Sequence, residues 1–205
     1  MHLTRSEVPK IWPLPRKGSV YLVRPRNKGL PLLIAMRDLL QVADTRKDVK
    51  NILKLGKIKV NGKVIREEKY ALNLFDNLSL DNKNYKILIK NKKFVLTEEK
   101  NSDEKIVKII GKKMLKKGKL QVNLSDGRNY ISKEKLKTGD SVVLDLKGNK
   151  ISEILEFKEG CKIIFISGKH IGEHGKVMKI DGENITIKEE KEEINCKVSV
   201  LMVVK

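Results

Sequence analysis

The segment from Thr45 to Tyr70 constrains the fold more than any other, because it predicts a helix, a helix end and a tight hairpin in close succession. Thr45 can cap the first helical turn with its hydroxyl group, and Gly56 can adopt the left-handed conformation that ends a helix. The pair Asn61-Gly62 then predicts a two-residue hairpin turn, since both residues tolerate a positive φ. The sequence therefore predicts about three helical turns followed by a two-stranded hairpin.

The predicted helix has two chemically different sides. At about 100° per residue, its basic residues share one arc and its apolar residues share the other. The basic arc contains Arg46, Lys47, Lys50 and Lys54, and the apolar arc contains Val49, Ile52, Leu53 and Leu55. A charged helix face is most often only solvated surface, but it is also the kind of surface that a polyanion contacts.

An earlier helix is predicted to begin at Pro31, which suits the first helical position. Helical spacing gives this helix one apolar face, made of Leu32, Leu33, Met36, Leu39, Leu40 and Ala43. Arg37 points away from that face, and Lys57 begins the hairpin after Gly56. Two helices and a hairpin can bury their apolar sides together while these cations remain in solvent.

The charge of the chain is large and unevenly distributed. Its 45 Lys and Arg residues outnumber its 26 Asp and Glu residues, for a net charge of +19. Residues 1–97 contain 22 of the basic residues and only 8 of the acidic ones. Seven of the eight arginines lie at or before Arg66. Because guanidinium groups make forked contacts with phosphate and stack on bases, we expect RNA to be bound mainly by this half.

Residues 1–30 are expected to form an extended basic arm. Four prolines in this segment fix φ and disfavour helix, so the arm should depend on a partner for order. Its candidate RNA-binding cations are Arg5, Lys10, Arg16, Lys17, Arg24 and Arg26. Trp12 has two open interpretations, since its ring could either anchor the arm on the protein's own surface or stack on RNA.

After the hairpin, the pattern changes to short stretches of alternating apolar and polar residues. These predict strands at Tyr85–Ile89, Phe94–Thr97, Ile106–Ile110, Leu120–Leu124, Ser141–Leu146 and Ile151–Phe157. Turn-forming residues such as Asp126-Gly127 separate them at short intervals. The middle of the chain is therefore predicted to form an antiparallel sheet or a small barrel.

A further β unit is predicted from Gly160 onward, with a glycine-rich loop between its first strands. Gly168, Gly172 and Gly175 suit positions that need a positive φ or a close backbone approach. Such a loop could contact nucleic acid through three flanking donors, Lys169, His170 and Lys176. The other interpretation remains open, namely that the glycines only turn corners in a small barrel.

Membrane and metal functions find little support in the sequence. No apolar run approaches the ~20 residues of a membrane-spanning helix, and residues 1–17 lack the apolar core of a secretory signal. We therefore expect a cytosolic chain in which Cys161 and Cys196 are reduced thiols. With His170 and His174 they could form a zinc site, but neither a CxxC pair nor a metal-ligand helix accompanies them.

Catalysis also lacks a convincing motif. No serine or cysteine motif accompanies the three histidines as a triad would require. The glycine loop lacks the Walker spacing that cradles a nucleotide. Asp126 and Arg128 could suggest a catalytic aspartate beside an arginine, but Asp126-Gly127 lies between two strand-like stretches and favours a hairpin turn.

Several motifs occur in an order that resembles a known family. They are HLTRSEVPKIWPLPRKG at residues 2–18, VRPR at 23–26, TRKDV at 45–49 with VNGKV at 60–64, LSDGRN at 124–129, TGDSVV at 138–143 and ISGKHIGEHGKV at 166–177. Their shared order resembles that of the archaeal and eukaryotic small-subunit ribosomal protein S4e family. The resemblance covers nearly the whole chain.

The resemblance implies an α+β fold in four segments. These are an extended basic arm at 1–30, an S4-type helix-hairpin RNA-binding module at 31–75, a central antiparallel β domain at 76–158 and a C-terminal KOW-type small β-barrel at 159–205. The arm, the TRKDV helix and the glycine loop are implied to touch RNA. Family members usually carry several more glycines and lysines before His2, so contacts of such an extension are expected to be missing or replaced.

The same resemblance implies a structural constituent of the small ribosomal subunit in the cytoplasm. Its partners would be ribosomal RNA and neighbouring ribosomal proteins, without catalysis, cofactor, metal, membrane or small-molecule substrate. Two alternatives are an RNA-modifying enzyme or its RNA-targeting subunit, and a ribosome-associated or transcription factor that uses the glycine loop to bind protein. For the ribosomal function, we expect Arg46→Glu with Lys50→Glu to weaken RNA binding and leave the fold intact.

Overall fold

The computed structural model describes residues 2–81, 83–99, 103–115, 119–132, 136–182, 184–188 and 193–205. Over these residues the chain is mostly β with few helices, so the α+β prediction is confirmed in this coarser form. The chain divides into two compact units, Met1–Asp103 and Glu104–Lys205. Within the described ranges, no helix is both long enough and apolar enough to cross a membrane.

The first unit contains nine strands among its described residues. They are β1 (His2–Leu3), β2 (Leu22–Val23), β3 (Leu30–Pro31), β4 (Ile58–Val60), β5 (Lys63–Val64), β6 (Ala71–Leu72), β7 (Asn77–Leu80), β8 (Lys83–Lys90) and β9 (Lys93–Glu98). Five of these form an antiparallel sheet in the order β5-β4-β7-β8-β9, while β1 pairs with β2 and β3 pairs with β6.

The helices of the first unit precede its large sheet in the chain. Helix α1 (Leu32–Ile34) continues into a π-helical segment (Ala35–Leu39), and α2 covers Arg46–Lys54. A short 3-10 turn lies earlier, at Arg5–Glu7.

Helix α2 and the hairpin after it form as the local residues predict. The Thr45 hydroxyl accepts a hydrogen bond from the Asp48 amide at 3.2 Å, and the Asp48 carboxylate accepts one from the Thr45 amide at 3.3 Å. This reciprocal pair is a capping box that satisfies two amides at the helix start. Gly56 has a φ of +70°, and Asn61 and Gly62 have φ values of +51° and +78°. The predicted cap, helix end and hairpin turn are therefore confirmed.

The predicted apolar arc of α2 needs one correction. Val49 and Leu53 are buried, but Leu55 is 71% exposed. Leu55 caps the C-terminal end of α2 and lies about 120° around the helix from Val49. At this position it is beyond the arc that packs against the rest of the unit.

The helix predicted from Pro31 is shorter and less regular than expected. Pro31 belongs to β3 and precedes the helix, which ends at Leu39. The Leu40 amide donates to the Ala35 carbonyl at 3.0 Å, which widens the last turn. Each residue from Leu30 to Met36 is buried, so this segment has no solvent side and the single apolar face predicted from its spacing is wrong.

Residues 2–23 fold back on the unit instead of extending from it. β1 pairs antiparallel with β2, with His2 opposite Val23 and Leu3 opposite Leu22. Between these strands, Val8 is 1% exposed and Trp12 is 2% exposed. The Phe94 amide of β9 donates to the Ile11 carbonyl at 2.9 Å. The arm thus differs from the expected partner-dependent segment, because apolar residues among its prolines attach it to the sheet.

The second unit contains ten strands among its described residues. They are β10 (Glu104–Met114), β11 (Leu120–Leu124), β12 (Asn129–Ser132), β13 (Ser141–Asp145), β14 (Lys150–Leu155), β15 (Lys162–Phe165), β16 (His174–Asp181), β17 (Asn184–Lys188), β18 (Glu193–Lys197) and β19 (Leu201–Val203). They form two five-stranded antiparallel sheets, in the orders β12-β11-β10-β13-β14 and β18-β17-β16-β15-β19. Each sheet has its own cluster of buried apolar side chains.

The six predicted strands all occur as β8 to β11, β13 and β14, with small differences in their ends. The last predicted strand stops at Leu155 because the Phe157 amide donates instead to the Asp140 carboxylate at 2.9 Å. The predicted turn at Asp126-Gly127 is also confirmed, since Gly127 has a φ of +84°. The Leu124 amide donates to the Arg128 carbonyl at 3.0 Å across this turn.

Lys108 makes an unusual connection within the second unit. Its Nζ atom donates to the carbonyls of Val198, Ser199 and Leu201 at 2.6, 3.1 and 2.7 Å. The residue is 6% exposed, and desolvation lowers the pKa of this ammonium to about 8. Strand β10 is thereby tied to the segment that leads into β19.

Candidate nucleic-acid interface

Helix α2 presents its basic residues to solvent, as its spacing predicts. Arg46, Lys47, Lys50 and Lys54 are all exposed, and Lys57 is exposed just beyond the helix. The apolar residues Val49 and Leu53 hold the opposite side in the core. The structure therefore brings these five cations together on one helix and the residue that precedes β4.

Three of these five cations are already engaged by an acid: Lys57 Nζ lies 3.8 Å from Asp81 Oδ1, and Arg46 and Lys50 share Glu68. The Arg46 guanidinium donates from Nε to Glu68 Oε2 at 2.9 Å and from Nη2 to Glu68 Oε1. Lys50 Nζ lies 3.9 Å from the same carboxylate. The hydrogen bonds from Arg46 are the main reason that the pKa of Glu68 lies below its ordinary value. Arg46 is therefore not the free phosphate ligand that the helix pattern alone suggests.

Lys47 and Lys54 differ from their two neighbours on α2. Both side chains are exposed, and neither forms an ion pair within the described part of the chain. Lysine acts mainly as a point charge towards phosphate and does not need a forked partner. These two residues are the α2 cations with the most freedom to contact a polyanion.

Other predicted arginines also make internal contacts. Arg37 is half-buried and pairs with Asp38 at 2.9 Å, and exposed Arg26 pairs with Glu67 at 2.9 Å. Arg24, Lys10 and Lys17 are exposed residues of the arm. Some arginines of the first unit are therefore engaged by acidic side chains of the protein, and several basic residues of the arm are exposed to solvent.

Arg5 and Arg16 each donate a hydrogen bond that joins two segments of the arm. Arg5 donates to the Pro15 carbonyl at 2.9 Å, and Arg16 donates to the Ser6 carbonyl at 2.7 Å. Each contact crosses the loop between β1 and β2 and satisfies a backbone carbonyl that has no strand partner. These two guanidinium groups stabilise the arm, and the sequence alone gave no indication of this.

The interpretation of Trp12 as an RNA-stacking residue is wrong for this conformation. Only 2% of the residue is exposed, so its ring has no free face for a base. A buried indole contributes a large apolar contact area. Trp12 is therefore the anchor that holds the arm on the first unit.

The glycine loop of the second unit has mixed features. Lys169 and Lys176 are exposed, whereas His170 is half-buried with Nδ1 lying 2.5 Å from Glu173 Oε2. A Cβ atom on Gly175 would lie 2.5 Å from the Ile187 side chain, so packing requires glycine at this position. Gly168 has a φ of +94° and open space around it. Packing thus accounts for one of the glycines, while Lys169 in the loop and Lys176 in β16 are exposed to solvent.

The remaining candidate chemistry has structural explanations. Asp126 is paired with Lys105 at 3.2 Å, and it accepts a hydrogen bond from the Arg128 amide at 3.0 Å. It therefore stabilises the hairpin turn. Burial raises the pKa of both Cys161 and Cys196. Over the described ranges, no group of three or more His, Cys, Asp or Glu side chains is placed to hold a metal.

Comparison with known proteins tests the resemblance to the S4e family. The model of the ribosomal family S4e matches residues 81–151. The small ribosomal subunit protein eS4 of Methanocella arvoryzae is 38% identical over 188 residues, which cover 87% of this chain and 80% of the relative. The chain belongs to the S4e family of ribosomal proteins. The eS4 protein of Methanocaldococcus jannaschii is 36% identical over 90% of this chain and 83% of its own length.

A solved S4e structure agrees with this assignment. The crystal structure of the 30S ribosomal protein S4e from Thermoplasma acidophilum aligns with a TM-score of 0.76 at 25% identity. The alignment covers 87% of this chain and 96% of that one. The sequence-based resemblance to the S4e family is therefore confirmed across most of the chain.

The S4e family model matches only the middle of the chain, where two of the motifs lie, at 124–129 and 138–143. The matched residues 81–151 correspond to the region from β8 to β14 and do not include α2. The basic surface of α2 lies instead in the part of the chain that the longer alignment to S4e relatives covers.

Two residues near α2 were missed as candidates by the sequence analysis. Lys69 follows the acid that holds Arg46, and Tyr21 is 61% exposed beside β2. Both line a pocket that also includes Arg37 and Arg46. An aromatic residue among arm arginines was the available indication for Tyr21, whereas no local pattern predicts the position of Lys69.

Proposed function

We propose that this S4e protein is a structural constituent of the small ribosomal subunit that binds ribosomal RNA without catalysing a reaction. Its partners are small-subunit RNA and neighbouring ribosomal proteins, and its location is the cytoplasmic ribosome. The observation that carries this proposal is the basic side of α2, which a capped helix and a buried apolar side hold facing solvent. A fixed row of cations suits the shape and phosphate contacts through which folded RNA is bound.

The first unit supplies the main RNA-binding surface in this proposal. Residues 31–75 act as an S4-type module, in which α2 and the β4–β5 hairpin present Lys47, Lys54 and Lys57 to the RNA backbone. The arm adds Lys10, Lys17, Arg16 and Arg24 from the same unit. The charge excess in residues 1–97 supports this assignment, since 22 basic residues face 8 acidic ones.

The second unit makes a smaller contribution. Residues 159–205 act as a KOW-type barrel, and its glycine loop offers Lys169 and Lys176 to RNA. Support for this assignment comes from the five-stranded antiparallel sheet of β15 to β19 and from the exposure of both lysines. His170 has a positioning role at most, because Glu173 engages its ring.

Co-sedimentation tests the proposed function. Purified protein is mixed with small ribosomal subunits stripped of their own S4e protein, and the complex is sedimented through high salt. Stoichiometric retention is expected for a structural constituent. Loose, substoichiometric association would instead indicate a ribosome-associated factor, and turnover of a nucleotide in the bound RNA would indicate the RNA-modifying alternative.

A further inference from the structure

A pocket of about 310 Å³ lies in the first unit beside the start of α2. Its apolar lining consists of half-buried Val23 and the buried residues Leu22, Leu33 and Ile34, the last two of which are 2% and 0% exposed. The other residues that define its chemistry are His2, Tyr21, Arg37, Arg46 and Lys69. The pocket therefore combines an apolar interior with aromatic and cationic groups, at a volume within the ~300–1,000 Å³ of small-molecule sites.

The aromatic side of the pocket is available to a ligand. The rings of His2 and Tyr21 have centroids 4.1 Å apart at an interplanar angle of 55°. Tyr21 is 61% exposed, so most of its surface is left in water by the fold. An exposed aromatic ring beside cations offers a base a face on which to stack.

The cationic side is held in place by acids that do not line the pocket. Asp38 pairs with Arg37, and Glu68 pairs with Arg46. These pairs restrict the two guanidinium groups and reduce the entropy that a ligand contact would cost. Lys69 adds a third positive charge, and its ammonium makes no ion pair within the part of the chain that the structure describes.

We propose that this pocket binds one nucleotide that is extruded from the stacked ribosomal RNA. The base stacks on Tyr21 beside Val23, while Lys69 contacts the adjoining phosphate and the acid-paired Arg37 and Arg46 border it. This inference rests on the proposed RNA-binding function and adds a defined base-binding site to it. It also implies that the arm contributes through Tyr21, since Trp12 is buried.

A nucleotide fits the pocket better than a protein side chain does. An apolar or aromatic side chain from a neighbouring protein would use the apolar lining but would leave Lys69 without a partner, since Asp38 and Glu68 already engage the two arginines. An acidic peptide would use the cations but not the apolar wall. A nucleotide satisfies both, because it joins an aromatic base to a phosphate.

The test compares Tyr21→Ala with Tyr21→Phe and with Val20→Ala, whose residue is 64% exposed and does not line the pocket. Each protein is bound to a small-subunit RNA fragment at fixed salt. Tyr21→Ala should weaken binding by about 5- to 100-fold, the range expected for loss of one base–aromatic stack. Tyr21→Phe and Val20→Ala should bind as the unaltered protein does.

Chemical probing of the bound RNA provides the second measurement. A single base should be protected by the unaltered protein and by Tyr21→Phe, and it should become reactive with Tyr21→Ala while backbone protections elsewhere persist. Lys69→Gln should instead keep the base protected and lower the salt dependence of binding by about one ion. Trp12 fluorescence reports whether each variant retains the folded first unit.

The outcomes separate this inference from the function on which it rests. Failure of the unaltered protein to bind small-subunit RNA would overturn the proposed function and the pocket with it. Normal RNA binding with equal affinities for Tyr21→Ala and Val20→Ala would overturn the pocket alone. Weaker binding of Tyr21→Ala to a neighbouring ribosomal protein, with RNA affinity unchanged, would also overturn it in favour of a protein occupant.

Discussion

Arg46 and Glu68 form a forked ion pair that joins the first turn of α2 to the segment preceding β6. The Arg46 Nε atom lies 2.9 Å from Glu68 Oε2, and Nη2 contacts the other carboxylate oxygen. The Glu68 side chain is only 10% exposed, while that of Arg46 is 53% exposed. The same arginine therefore positions a helix and borders the pocket beside it.

Removing the acid of this pair should destabilise the first unit. Glu68→Gln should lower the free energy of unfolding by about 1–3 kcal/mol, because a charged hydrogen-bond pair with a buried member is lost. Glu67→Gln is the matched control, since its ion pair with Arg26 has side chains 38% and 73% exposed, and such pairs contribute about 0–1 kcal/mol. Urea unfolding measures both; equal losses would contradict the structural importance of Glu68.

The same ion pair predicts a dependence of stability on acid pH. Arg46 holds the folded-state pKa of Glu68 below its ordinary value of 4.5. As the pH falls, the Glu68 carboxylate is therefore protonated in the unfolded chain before it is protonated in the folded one. The stabilisation is therefore complete above pH 4.5 and is lost as the pH falls through the lowered folded-state value. The difference in unfolding free energy between unaltered protein and Glu68→Gln should shrink over this range, and a constant difference would refute the linkage.

The two unpaired lysines of α2 offer a cleaner test of RNA binding than Arg46 and Lys50 do. Lys47→Gln with Lys54→Gln should leave stability unchanged and reduce the slope of log affinity against log salt by about one per side chain. Arg46→Glu with Lys50→Glu should now also destabilise the fold, contrary to expectation from the sequence, because both changes put acids beside Glu68. An unchanged salt slope in the lysine variant would show that this side of α2 does not face phosphate.

Trp12 should report the docking of the arm in the protein without RNA. As the single tryptophan of the chain, it should show the blue-shifted emission of a buried indole. Trp12→Ala should cost about 3–5 kcal/mol of stability, as expected for truncation of a large core side chain. Val20→Ala, at a residue 64% exposed, should change stability by less than about 0.5 kcal/mol. Emission typical of a solvated indole would mean that the arm is undocked.

Lys108 predicts a second pH dependence, at alkaline pH. Desolvation lowers its folded-state pKa from 10.5 to about 8, so between these values the unfolded chain binds more protons than the folded one. The free energy of unfolding should therefore rise with pH across this window, relative to a Lys108→Met variant. Below pH 8 the cost of burying the charge is fully present and the difference should be constant. A flat difference throughout would show that Lys108 is not desolvated.

The sequence predicts those features of the fold that depend on residues close together in the chain. Thr45 and Asp48 are three positions apart, and the Asn61-Gly62 turn is encoded by two adjacent residues that adopt positive φ. The strands follow the same logic, since alternation along β8 places Tyr85, Ile87 and Ile89 in the core. Local geometry therefore accounts for the helix cap, the hairpin turn and most strands.

The features that were missed depend on contacts between distant segments. Nothing near Arg46 indicates that an acid 22 residues later will hold its guanidinium. Trp12 lies among prolines that predict an extended arm, and its burial is a property of the folded unit that no local pattern indicates. The pocket beside α2 likewise combines Tyr21, Arg37 and Lys69 from separate segments. Charge counts locate the basic unit, but tertiary contacts determine which cations remain available.

The most direct test of the account is the salt dependence of binding to a folded small-subunit RNA fragment, measured beside an unrelated acidic polymer of similar charge. If a folded row of cations binds structured RNA, affinity for the fragment should fall steeply and linearly with log salt and should exceed that for the polymer at every salt concentration. A flat response, or equal affinity for both ligands, would contradict the claim that this protein presents its charge for ribosomal RNA.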